Sequence, residues 1–282
     1  MTEHSLTAAR RSPRWLWSGA GVVALALAGC TTTTTTTTSF ADMKNSPPTT
    51  VAAESAQAQA QRRAELRLQL AVGYFQHGQT EVAMQEINQA LAADPNYADA
   101  YNLRGLIYMR QDDAAQAEDS FRRAIALKPR DPDTRHNYGW LLCQQKRYGD
   151  AMAQFGAALA VPTYQDAAKT LMTQGVCQIQ AGDRAAAEKS LTQAYEMDAG
   201  NPVIGYNLAS LLFQREDYTR AQFYVRRINN GQQANAESLW LGVKTERRLG
   251  NREAMAQLAS QLQRRFPQSR EALAYERGNF ND

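Results

Sequence analysis

Histidine is scarce in this sequence: His4, His77 and His136 are the only three in 282 residues. A zinc site or a hydrolytic triad needs imidazoles gathered with acids or thiols, and three isolated ones supply neither. The chain also lacks HExxH, a phosphate-cradling glycine loop and G-x-S-x-G. These absences argue against an enzyme and imply no metal, cofactor or small-molecule substrate. Charge of one sign is lacking too, with 31 basic residues against 28 acidic and a net charge of +3. Removing residues 1–29 takes away Arg10, Arg11, Arg14 and Glu3 and leaves +1. A nucleic-acid partner wants a concentrated basic stripe, so none is expected. Valine and isoleucine are sparse beside alanine and glutamine, which favours helices over sheets.

What is present begins with a leader. Arg10, Arg11 and Arg14 precede a largely apolar run from Trp15 to Leu27, the order of an export signal and too short for a permanent membrane span. The run ends Leu27-Ala28-Gly29-Cys30, which resembles the lipobox of bacterial lipoproteins. That resemblance implies cleavage of residues 1–29 and acylation of the Cys30 thiol and amine. Two or more acyl chains hold a protein stably to a membrane. In such lipoproteins an Asp after the Cys commonly retains the protein at the inner membrane. Here the residue is Thr31, which implies the outer membrane, on its periplasmic face. Residues 30–53 open with eight consecutive threonines and include Pro47-Pro48. They have nothing with which to build a core and read as a tether spanning roughly 25–30 Å.

From Glu54 to the end the chain reads as helix, organised by a repeat. Ala83, Ala117, Ala151, Ala187, Ala221 and Ala254 follow one another at intervals of 34, 34, 36, 34 and 33 residues. This is the tetratricopeptide period, in which each unit is a helical hairpin, helix A then helix B, that buries its apolar face only when a neighbour stacks on it. Six units follow, 64–97, 98–131, 132–167, 168–201, 202–234 and 235–268, with a capping helix at 269–277. The expected fold is therefore an all-α superhelical solenoid. Its steric logic is periodic. Gly105, Gly139, Gly175 and Gly242 sit at the eighth position, where a small residue lets helix A approach helix B. Phe121, Phe155 and Leu191 fill the space from the twenty-fourth. Pro95 and Pro129 stop helix B. The third unit departs from the pattern, with about two extra residues around Val161–Gln165.

In tetratricopeptide stacks the A helices line the concave surface. The positions concerned are Leu68, Val72 and Phe75, then Leu106 and Met109, then His136, Trp140 and Cys143. Met172, Val176 and Ile179 follow, and then Tyr206 and Phe213. Exposed apolar patches mark binding sites, and this set suggests a groove for an amphipathic or an extended apolar segment. Cys143 and Cys177 lie late in the A helices of adjacent repeats, at similar height. An oxidising periplasm favours a bridge between them, whereas ordinary helix spacing of roughly 8–10 Å favours two buried thiols.

Three stretches carry a more specific resemblance: Asn137-Tyr138-Gly139-Trp140-Leu141-Leu142-Cys143-Gln144, Glu237-Ser238-Leu239-Trp240-Leu241-Gly242, and Leu262 to Pro267. With the lipobox and the six repeats, they resemble the type IV pilus biogenesis and stability lipoproteins, the secretin pilotins, over about residues 60–275. The resemblance implies an assembly factor that brings the pilus secretin to the outer membrane and promotes its multimerisation by binding it in the groove. The alternative is a periplasmic repeat scaffold for envelope or cell-wall assembly complexes.

Overall fold

The computed structural model describes residues 50–280, and all regular structure among them is helical. The leader, Cys30 and the threonine tract lie outside the described residues. Six hairpins follow one another. They are α1 (Thr50–Gln76) with α2 (Thr80–Ala93), α3 (Ala98–Arg110) with α4 (Ala114–Leu127), and α5 (Pro132–Gln144) with α6 (Tyr148–Leu159). Then come α7 (Ala167–Gln180) with α8 (Arg184–Met197), α9 (Pro202–Gln214) with α10 (Tyr218–Asn229), α11 (Ala236–Arg248) with α12 (Arg252–Arg265), and the cap α13 (Arg270–Glu276). Helix α1 starts at Thr50, four residues before Glu54, because the alanines after Pro47-Pro48 are strong helix formers.

The helix starts are written in the sequence as caps. The carboxylates of Asp113, Asp131, Asp183 and Asp217 accept from the amides of Gln116, Thr134, Ala186 and Arg220, at 3.1, 2.8, 3.0 and 3.3 Å. Asn201 does the same for α9, and Asn235 with Ser238 forms a reciprocal capping box on α11. Each such cap stabilises by about 1 kcal/mol. Each A helix ends in one left-handed residue: Gly78, Asp112, Lys146, Gly182, Glu216 and Gly250, with φ between 58° and 85°. Three of the six are not glycine, so the hairpin geometry is imposed there against the residue's own preference.

Inside each hairpin the eighth and twenty-fourth positions are matched in size. A Cβ added to Gly105 would lie 2.6 Å from the Phe121 ring, one on Gly139 2.7 Å from Phe155, and one on Gly175 2.7 Å from Leu191. Where the eighth position is alanine, at Ala71 and Ala209, the partner is Ile87 or Val225, both buried and smaller than the phenylalanine of the second and third repeats. Close packing of this kind explains why glycine, costly inside a helix, is kept there. Successive hairpins stack through B-to-A contacts, and the A helices also touch one another in order from α1 to α11, with α13 packed on α11 and α12. The result is a superhelical solenoid of six tetratricopeptide repeats closed by a capping helix, with the A helices forming one continuous face.

Candidate partner-binding surface

The A-helix face carries the apolar row expected of it, with two exceptions, His136 and the fully buried Cys143. Leu68 and Phe75 on α1, Leu106 and Met109 on α3, Trp140 on α5, Met172, Val176 and Ile179 on α7, and Tyr206 and Phe213 on α9 are half-buried, and Val72 is exposed. Half-burial is what a lining residue shows: its base packs between helices and its end meets solvent. His136 does not belong to this row, being only 6% exposed. Its Nδ1 lies 2.8 Å from the Thr170 hydroxyl, which lies 2.8 Å from the Tyr164 hydroxyl. The extra residues of the third unit bring Tyr164 to the Thr170 hydroxyl that bonds the imidazole. Burial first, then the charge of Lys169, lowers the His136 pKa to about 4, so the ring is neutral at ordinary pH. Burial likewise pushes Tyr164 up to about 12.

Cys143 and Cys177 are joined by a disulfide with the Cα atoms 5.9 Å apart, so α5 and α7 approach closely at this level. The joint between the third and fourth repeats is thus pinned twice, by the polar chain near the starts of the two helices and by the bridge towards their ends. Buried carboxylates pin other joints. Glu246, 1% exposed, accepts from Arg226 Nε at 2.7 Å, Gln222 at 2.8 Å and Asn251 at 2.7 Å. Burial alone would raise its pKa, but those hydrogen bonds outweigh it and hold the carboxyl below the usual range. Glu118 binds Tyr138, Arg147 and Arg122 in the same manner between the second and third repeats.

Two cavities open on the A-helix face. One, of about 500 Å³, is lined by Met109, Trp140, Asp112, Gln144, Gln145 and Gln180 among others. The other, of about 430 Å³, lies among Tyr206, Phe213, Gln214, Trp240, Lys244 and Arg270. Sequence reasoning stopped the groove at Phe213. Trp240 lines this second cavity from the sixth repeat although it, too, is only 6% exposed, and the Glu237–Gly242 stretch already carried that signal. A third cavity, of about 770 Å³, lies at the solenoid edge between the loops Lys128–Asp133 and Val161–Asp166. Burial, with Asp131 and Asp166 nearby, raises the pKa of Asp133 there. Among the described residues no group of three His, Cys, Asp or Glu side chains is placed to hold a metal ion, and no helix is long and apolar enough to cross a membrane.

Tetratricopeptide-repeat models match residues 68–132, 108–175 and 178–241. A solved structure of PilW, a widely conserved type IV pilus biogenesis factor, superposes with a TM-score of 0.69 at 30% identity, covering 75% of this chain and 97% of that one. The chain belongs to the type IV pilus biogenesis family of tetratricopeptide-repeat proteins. The type IV pilus assembly protein PilF of Pseudomonas aeruginosa is 28% identical over 204 residues, 72% of this chain and 81% of that protein. The solved structure of Pseudomonas aeruginosa pilF superposes at a TM-score of 0.68 with 26% identity, over 79% of this chain and 99% of that one. The pilus-family fold therefore spans the solenoid.

Proposed function

We propose that this type IV pilus biogenesis protein is a pilotin: an outer-membrane lipoprotein, anchored through Cys30 at the periplasmic face, that grips the pilus secretin in its A-helix groove and promotes its multimerisation. It acts by binding and not by catalysis. The observation that carries the reading is the row of half-buried apolar side chains from Leu68 to Phe213 on one face of a pilus-family solenoid. Such a row buries apolar area on a partner at roughly 25 cal/mol per Å². Division of labour follows from the chain: lipid on Cys30 supplies the address, the threonine tract the reach, and the solenoid the grip.

A deletion strain tests this directly. Loss of heat-resistant secretin multimers, restored by the intact protein, is the expected result. Intact multimers together with envelope defects would assign the role to a scaffold instead. Complementation with Cys30→Ala should leave the protein in the soluble periplasmic fraction and the secretin misplaced. A Cys30→Ala protein still found in the outer membrane would refute the anchor.

A further inference from the structure

The A-helix face carries a second row beside the apolar one. At the thirteenth position of the first five repeats stand Gln76, Arg110, Gln144, Gln180 and Gln214, all exposed and separated by 34, 34, 36 and 34 residues. Gln144 and Gln180 line the same cavity as Met109 and Trp140, and Gln214 lines the one with Phe213 and Trp240. Three of the five therefore line the groove. Gln76, Gln144 and Gln214 make no side-chain hydrogen bond within the described protein, and Gln180 has its Oε1 3.6 Å from the Cys143 sulfur. Arg110, which interrupts the glutamines, is turned inward, donating to the Phe75 carbonyl at 2.6 Å with its guanidinium 3.8 Å over the Phe75 ring.

We propose that these glutamines form a ladder that reads the backbone of an extended partner segment, one carboxamide from each of the first, third, fourth and fifth repeats. A carboxamide both donates and accepts, as a peptide unit does. A helical partner has its own backbone groups satisfied and offers such a ladder nothing. An extended segment leaves every N–H and C=O open, and this all-helical face has no strand edge with which to pair them. Spacing agrees. Neighbouring helices stand roughly 8–10 Å apart, and a polyproline-II segment advances about 9 Å per turn of three residues. One turn per repeat brings every third side chain to the apolar row and one peptide group to each rung. The Cys143–Cys177 bridge fixes the middle of the ladder, since Gln144 follows one cysteine directly and Gln180 lies one helical turn beyond the other. The inference rests on the reading of the A-helix face as the binding surface and specifies what that face takes: an extended segment with an apolar residue at every third position.

The test separates the binding mode from the partner. A library of short random peptides is selected on the full-length protein, and the binders are resynthesised with single backbone esters, which remove one N–H donor and leave the side chains unchanged. Expected are binders with apolar residues every third position, no helical circular dichroism when bound, and a loss of about 5–10-fold for an ester at a rung. Gln180→Ala should weaken the all-amide peptide similarly and abolish the ester effect at its own rung. Binders with amphipathic-helix spacing, indifference to every ester, or no binder at all would overturn the ladder. The periplasmic region of the secretin is titrated in parallel. Ladder-dependent peptides with no secretin binding would sink the partner assignment alone, and secretin binding indifferent to Gln144→Ala, Gln180→Ala and Gln214→Ala would sink the ladder alone.

Discussion

Replacing both bridged cysteines by alanine should cost the solenoid much of its stability, and the size follows from the chain. Cys143 and Cys177 are 34 residues apart, so their bond closes a loop that the unfolded chain would otherwise leave open. The loop-entropy estimate for that length is about 4 kcal/mol at 25 °C. Both side chains are fully buried, so the alanines also leave small voids, while removing no hydrogen bond that the fold needs. For a domain of this size each kcal/mol moves the melting temperature by about 2–4 °C, and a fall of roughly 8–15 °C is expected. Urea unfolding of the oxidised protein, the reduced protein and the double variant measures it. Both unbridged forms should fall well below the oxidised protein, the double variant slightly further because of its voids, and hydrogen exchange should rise first in α5 and α7. A double variant as stable as the oxidised protein would show that the joint is held by packing alone and that the entropy argument fails here.

The hairpin turns give an opposite effect: Lys146→Gly and Glu216→Gly, at φ of 62° and 64°, should each stabilise by about 0.5–1 kcal/mol, read as a raised melting temperature. Gly139→Ala, whose Cβ would press within 2.7 Å of the Phe155 ring, should destabilise by about 1–3 kcal/mol. Adding Phe155→Ile, which copies the Ala71–Ile87 pairing, should recover most of that loss, and no recovery would refute the size-matching account. Stability should also fall in mild acid. Because the folded His136 pKa is lowered to about 4, from an unfolded value near 6.5, its contribution is complete above pH 6.5 and is lost as pH falls towards 4. The loss reaches at most about 3 kcal/mol, and His136→Leu should flatten the unfolding profile between those pH values.

The repeat frame was readable because its signal is steric and periodic. Gly105 on Phe121 and Gly139 on Phe155 announce the hairpins, and the contacts in the structure are the ones that spacing demands. Local chemistry hid other features. Asp112, Lys146 and Glu216 do not look like left-handed residues, because the pairing of two long helices overrides the preference of the one between them. His136 sits at a groove position by count, and only the folded course of Val161–Asp166, which brings Tyr164 to Thr170, shows the buried polar chain it belongs to. Trp240 stands at the sixth position of its repeat, outside the positions that line the groove by count, and only the fold brings it beside Phe213. The glutamine row is invisible to hydrophobic pattern analysis and appears once positions are aligned by repeat and shown to line the same cavities.

The central claim is that the A-helix face holds the secretin, and photo-crosslinking in cells measures it most directly. A photoreactive amino acid is placed in turn at Val72, Met109 and Ile179 on that face, and at Phe223, 61% exposed on α10 away from it. The account predicts secretin adducts from the first three positions and none from Phe223. Adducts from Phe223 alone, or adducts from the A-helix positions to proteins other than the secretin, would contradict it.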